Sequence, residues 1–137
     1  EEKGVTSELV SAFEKNSKIQ LSVMEIFGSE ISNYGVVQYN PINGKVEGLV
    51  EKPEENLAPS NSASIGRYVL TAEIFDILEN QTVGKGGEIQ LADAINILAK
   101  ENKVETVKLK GNRFDCGSVK GYLAGINFVA NKLKINN

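Results

Sequence analysis

The sequence predicts an α/β layered fold in which a sheet is covered by helices. Three observations predict it. Apolar residues recur at helical spacing near the start, in the middle and at the end of the chain. Apolar runs of strand length lie between these helical stretches. The segment "NPING", Asn40 to Gly44, joins two of the runs with turn chemistry: proline presets φ, and Asn-Gly tolerates positive φ. That turn demands at least one antiparallel pair, so the sheet is expected to be mixed rather than purely parallel.

Each element follows from its own pattern. Val5, Leu9, Val10, Ala12 and Phe13 read as an amphipathic helix over roughly Lys3 to Lys15. Ile19, Leu21, Val23, Ile26 and Phe27 suggest a strand, which "GSEISN" breaks. "YGVVQY" and Val46 to Glu51 form the two arms of a hairpin, with Val46, Gly48 and Val50 on one face and Glu47, Leu49 and Glu51 on the other. "PEENLAPSNS" is a loop, and "ASIGRYVL" a strand. Thr71 reads as an N-cap, with Glu73 in the first turn and Ile74, Phe75, Ile77 and Leu78 behind it. "QTVGKGGE" is a flexible connector, since it lacks the spacing of a phosphate loop. Ile89 to Lys100 is a helix with Leu91, Ala94, Ile95 and Leu98 on one face. Val104, Val107 and Leu109 mark a strand, and "RFDCGS" a short extended segment. Ser118 looks like the cap of a last helix carrying Val119, Tyr122, Leu123, Ile126 and Val129.

Composition narrows the function classes. The 137 residues make one domain, or a piece of one, with 41% apolar and 24% charged side chains, ordinary for a globular chain. The net charge is -3 and the basic residues are scattered, which argues against nucleic acid as a partner. No run is apolar for long enough to span a bilayer, so no membrane partner is expected. The acidic, periodic start "EEKGVTSELV" does not read as a signal peptide. A single cysteine, Cys116, excludes an internal disulfide framework and fits a reducing cytoplasm. Without histidine there is no zinc site and no Ser-His-Asp or Cys-His arrangement. Cys116 therefore reads as a small buried hydrophobe, and any metal must be hard and oxygen-bound.

The residues that could carry chemistry are few. Glu51 and Lys52 stand at the end of a strand that Pro53 terminates, with Lys52 pushed towards extended geometry. Strand ends are where open α/β sheets bind ligands. A carboxylate accepts from sugar hydroxyls and an ammonium attracts phosphate, so the pair suits a sugar phosphate; a solvated strand end is the plainer alternative. Gly35 either lets a ligand approach the backbone or simply opens a strand. Gly66, inside a strand, marks a bulge, a close approach or sheet packing. Asp115 is either a magnesium ligand or a group that caps the last helix or bonds N–H groups near Gly117.

"YGVV" at Tyr34, "VEKP" at Val50, "APSNSASIGRYVL" from Ala58, "GGEIQLADAI" from Gly86 and "FDCGSVKGY" from Phe114 occur together in this order. As an ordered set they resemble bacterial UTP–glucose-1-phosphate uridylyltransferases, over nearly the whole chain. The resemblance implies a mixed, mostly parallel sheet and the C-terminal, sugar-binding part of a single Rossmann-like nucleotidyltransferase domain, residues 1–137. The glycine-rich loop ending in Thr-Arg, the lysine that follows it and the Asp pair of the related nucleotidyltransferases are not among these residues. The implied activity makes UDP-glucose and pyrophosphate from UTP and glucose 1-phosphate with Mg2+. Gly35 resembles the glycine whose backbone contacts glucose, and Glu51 the acid that bonds its hydroxyls. Lys52 resembles the catalytic lysine on the sugar-bound phosphate, Ser64 and Gly66 belong to the strand lining the sugar pocket, and Asp115 resembles a magnesium ligand. The resemblance further implies a homo-oligomer, with the last helix joining subunits. A half-domain should also expose a sheet edge and apolar surface. The alternative function is a non-catalytic sugar-nucleotide-binding or assembly module of the same fold.

Overall fold

The structure, a computed structural model, describes residues 4–82 and 87–134. Five strands form one sheet in the order β3-β2-β4-β1-β5. They are β1 (Ile19–Glu25), β2 (Gly35–Tyr39), β3 (Val46–Glu51), β4 (Ser62–Val69) and β5 (Val104–Lys108), with helices α1 (Val5–Asn16), α2 (Glu73–Asn80), α3 (Leu91–Lys100) and α4 (Val119–Lys132).

The sheet is mixed, as expected, but it is not mostly parallel. Only β1 and β5 run parallel; β1–β4, β2–β3 and β2–β4 are antiparallel. The reason lies in the connections. A parallel return needs a crossover of a dozen or more residues, usually helical. Between Ile19 and Val69 there are only two 3-10 turns, Gly28–Asn33 and Glu55–Leu57, and the α-helical crossover comes after β4.

Alternation along β1 sorts the two faces. Ile19, Leu21 and Val23 point into the main core with Val37, Val46, Leu49, Val104, Ile74 of α2, and Ala94, Ile95 and Leu98 of α3. Gln20 and Ser22 point the other way, towards α1, and are also buried. Each finds a partner: Gln20 Nε2 donates to Asn16 Oδ1 at 3.1 Å, and Ser22 Oγ donates to the Arg67 carbonyl at 2.7 Å. A smaller cluster of Ile26, Ile31, Val36 and Ala63 closes the sheet near the Gly28–Asn33 turn.

Several local expectations change. Strand β1 ends at Glu25; the Ile26 N–H still donates to the Asn61 carbonyl one pair past it, and Phe27 is exposed. A register shift between Gln38 and Tyr39 leaves Glu47 unpaired, so Val46 falls on the Leu49 face rather than opposite it. Helix α2 has Ala72, not Thr71, at its N-cap position; no side chain caps it, and the Thr71 hydroxyl is buried without a partner. Phe75 on that helix is exposed. Helix α3 begins at Leu91, leaving Ile89 exposed before it. The connector falls partly outside the described residues, at 83–86. Ser118 does cap α4, accepting from the Gly121 N–H at 3.0 Å. The apolar residues expected on α4 (Val119, Tyr122, Leu123, Ile126 and Val129) are all exposed, and so is Cys116.

Two positions hold the strands in place. Strand β3 is an edge, and its free backbone is covered from α3: Leu49 N–H donates to Asn96 Oδ1 at 2.5 Å, and Asn96 Nδ2 donates to the Leu49 carbonyl at 3.0 Å. Removing the amide leaves two edge groups unpaired, so Asn96→Ala should cost about 1–3 kcal/mol in urea unfolding with an unchanged slope. In β4, Ile65, Gly66 and Arg67 stand against Ser22 alone, a bulge in which Gly66 takes φ 75°. A Cβ at Gly66 meets nothing within 4 Å, so the penalty of Gly66→Ala is purely conformational. It should be about 1–2 kcal/mol, with Gly66→Asn losing less in the same measurement.

Candidate functional site

The candidate site lies at the edge of the sheet where β1, β3 and β5 end. Gly35, the first residue of β2, pairs directly with Glu51, the last of β3. Paired residues share a face, and an added Cβ on Gly35 would lie 3.0 Å from Glu51 Oε2 and 3.2 Å from Leu49 Cδ2. The absence of a side chain at Gly35 is therefore what gives the Glu51 carboxylate its place over the strand. Within the fold Gly35 opens strand β2 and lies against the Glu51 carboxylate.

Lys52 follows at once but is not extended. Its φ is +45°, and its N–H donates to the Tyr34 carbonyl at 3.0 Å. That bond carries the β2–β3 ladder one residue past the strand, and Pro53, which is buried, then ends it. The expected extended geometry before proline gives way because the extra ladder bond turns the chain there. Glu51 and Lys52 are both exposed, and neither forms an ion pair among the described residues. An acceptor and a cation are thus presented side by side at the sheet's edge.

Strand β4 extends the same surface. Val36 pairs with Ala63, so the alternation places Ser64 on the face of Gly35 and Glu51. Ser64 is buried, and its hydroxyl is shared with Tyr68 Oη at 3.0 Å. Gly66 stands two residues further on, in the bulge.

Asp115 comes from the loop after β5 and is exposed rather than buried. Its Oδ1 accepts from the Gly117 N–H at 3.1 Å, and its carbonyl accepts from Ser118 Oγ at 3.1 Å. Bonding near Gly117 is thus present, and the carboxylate still faces solvent. Among the described residues no three His, Cys, Asp or Glu side chains cluster as a metal site. The loop is tied to the strand edge by Arg113, whose Nη1 donates to Tyr34 Oη at 3.0 Å with the guanidinium 5.3 Å from the ring centroid. Tyr34 and Arg113, to which the sequence pattern assigns no site role, make this link. Tyr34 precedes Gly35 in a quoted motif, yet its residue type does not reveal that its carbonyl holds Lys52 while its hydroxyl holds Arg113.

Residues 3–132 match the nucleotidyl transferase family. The UTP–glucose-1-phosphate uridylyltransferase of Pseudomonas aeruginosa is 43% identical over 128 residues, 91% of this chain and 46% of that protein. The crystal structure of apo UDP-glucose pyrophosphorylase matches with a TM-score of 0.83 and 37% identity, covering 93% of this chain and 48% of that one. UDP-glucose pyrophosphorylase complexed with UDP-glucose gives 0.82 and 38%, covering 91% and 49%. The chain spans about half the length of the relatives it matches. With the family match running over residues 3–132 and the fold shared with those structures, the chain belongs to the nucleotidyl transferase family.

Proposed function

We propose that this chain supplies the sugar-phosphate-binding part of a UTP–glucose-1-phosphate uridylyltransferase. The observation that carries the reading is the Gly35–Glu51 pair, with Lys52 locked beside it, at the strand edge of a fold that matches a UDP-glucose complex. Glu51 is the acceptor for glucose hydroxyls, and the Gly35 and Ser64–Gly66 backbone lines the sugar. Lys52 holds the phosphate of glucose 1-phosphate in line. In the reaction an oxygen of that phosphate attacks the α-phosphorus of UTP. The bond from this phosphorus to the bridging oxygen of the β-phosphate breaks, and pyrophosphate leaves. No covalent enzyme intermediate is needed, so the residues act by positioning and charge neutralisation.

Magnesium fits the donor chemistry of Asp115, a hard carboxylate open to solvent with one oxygen bonded to Gly117. No group of three His, Cys, Asp or Glu side chains forms a complete site among the described residues, so phosphate oxygens and water would supply further ligands. Bound there, the ion would stabilise charge on phosphate oxygens. Assembly through the apolar residues of α4 and a cytoplasmic setting belong to the same proposal, as does little or no transfer by these 137 residues alone.

The test is an amide NMR titration with UDP-glucose and magnesium. Shifts should cluster at Gly35, Glu51, Lys52 and Gly66. A charge-assisted bond contributes about 1.5–3 kcal/mol, so Lys52→Ala should weaken binding roughly 10- to 100-fold. A folded chain that shows no shifts at these residues would reject the site in this chain. Gly35→Ala should destabilise by about 1–3 kcal/mol through the crowded Cβ and should also displace Glu51, lowering affinity for UDP-glucose with the NMR dispersion retained. Unchanged affinity in that variant would remove Glu51 from sugar recognition.

A further inference from the structure

The chain holds fifteen lysines and arginines, and only Arg67 and Arg113 are arginines. Both line one cavity of about 500 Å³, between the start of α1, the β4 bulge and the loop after β5; Thr6, Ile65, Asn112 and Phe114 also line it. Two features outside the cavity aim the arginines. The β4 bulge re-aims Arg67, with its carbonyl pinned by Ser22, and bulges characteristically redirect a side chain in this way. Arg113 is fastened to Tyr34.

Among the described residues, the charges in the cavity lack anionic partners. Arg67 Nη1 donates to Thr6 Oγ1 at 3.0 Å and Arg113 to the Tyr34 hydroxyl, both neutral acceptors. Among the described residues, neither arginine forms an ion pair, whereas Lys18, Lys103, Lys108 and Lys110 each do. Among the described residues, the carboxylates closest in sequence to the lining are engaged elsewhere: Glu8 with Lys110 at 2.8 Å, and Asp115 with the Gly117 N–H. Arginine differs from lysine in presenting a planar fork that matches phosphate oxygens two at a time. The Asn112 amide adds donors, and no side chain caps α1 beside it.

We infer that the Arg67–Arg113 cavity is a second anion site, which binds a diphosphate group: free pyrophosphate or the terminal phosphates of a nucleoside triphosphate. The anion site stands on the arginine pair alone, and the choice of diphosphate rests on the transferase reading above. Arg113 joins this cavity to Tyr34, whose carbonyl holds Lys52, so the two sites share one residue between them.

The experiment is an amide NMR titration of the chain with sodium pyrophosphate, and separately with UTP, each against sodium acetate at matched ionic strength. Saturable shifts at Thr6, Arg67 and Asn112–Phe114 are expected with pyrophosphate, and acetate should not reproduce them. The same shifts with UTP identify a triphosphate as a source; shifts with pyrophosphate alone identify the released product. The double variant Arg67→Gln, Arg113→Gln should weaken pyrophosphate roughly tenfold or more. Arg113→Lys, which keeps the charge without the fork, should fall between. Tyr34→Phe checks that any loss comes from the guanidinium groups and not from a loosened loop. Equal response to acetate, shifts spread over the lysines, or unchanged affinity in a folded double variant would overturn the inference. UDP-glucose reports separately through Gly35 and Glu51, so failure of the cavity and failure of the sugar site can be told apart.

Discussion

The register of the β2–β3 hairpin is the constraint on which the site depends. Side chains alternate with a period of two, so a slip of one residue would carry Glu51 to the opposite face. Three features pin the pairing. The unpaired Glu47 absorbs one residue near the turn, Val36 is held between Val50 and Ala63, and the Lys52 N–H extends the ladder to Tyr34. Leu49 adds an anchor, since its core contacts and its two bonds to Asn96 fix the residue that shares a face with Glu51. Burial thus holds the register, and the register in turn positions an exposed carboxylate.

The same sheet is unevenly covered. Strand β1 is buried on both faces, between α1 and the α2–α3 layer. The two edges are β3, shielded by an amide from α3, and β5, which carries the loop to Asp115. Helix α4 has a proper cap and no buried residue. Phe114, in the loop before it, packs on Phe128 of the helix with the rings tilted by 42° and their centroids 5.2 Å apart. Exposed apolar side chains are dense on this helix, with Phe27, Phe75 and Ile89 among others elsewhere, and no residue of α4 belongs to the main core.

Most of the architecture was legible because burial leaves a period in the sequence. The α3 stripe, the hairpin arms, the turn at Asn40–Gly44 and the Ser118 cap each have a local cause and are found where the pattern puts them. Strand direction has no such local cause. The antiparallel β1–β4 pair follows from which segments meet, which periodicity does not record. Thr71 misled for a related reason: its residue type suits a cap, but its hydroxyl points inward and the helix starts two residues later. At the site, Glu51, Lys52 and Gly35 were visible as residue types at a strand end. Their mutual geometry was not, because it depends on a cross-strand partner in one case and on the Tyr34 carbonyl in another.

Lys52 gives one further consequence. A non-glycine residue at positive φ is uncommon, and holding it there costs of order 1–3 kcal/mol. Glycine or asparagine would relax that backbone and keep the N–H bonded to Tyr34. Mutational drift governed by stability alone would therefore move this position away from lysine and leave the hairpin intact but uncharged. A sequence collection sorted by this single position would separate chains that retain only the scaffold from chains in which the ammonium is still under selection.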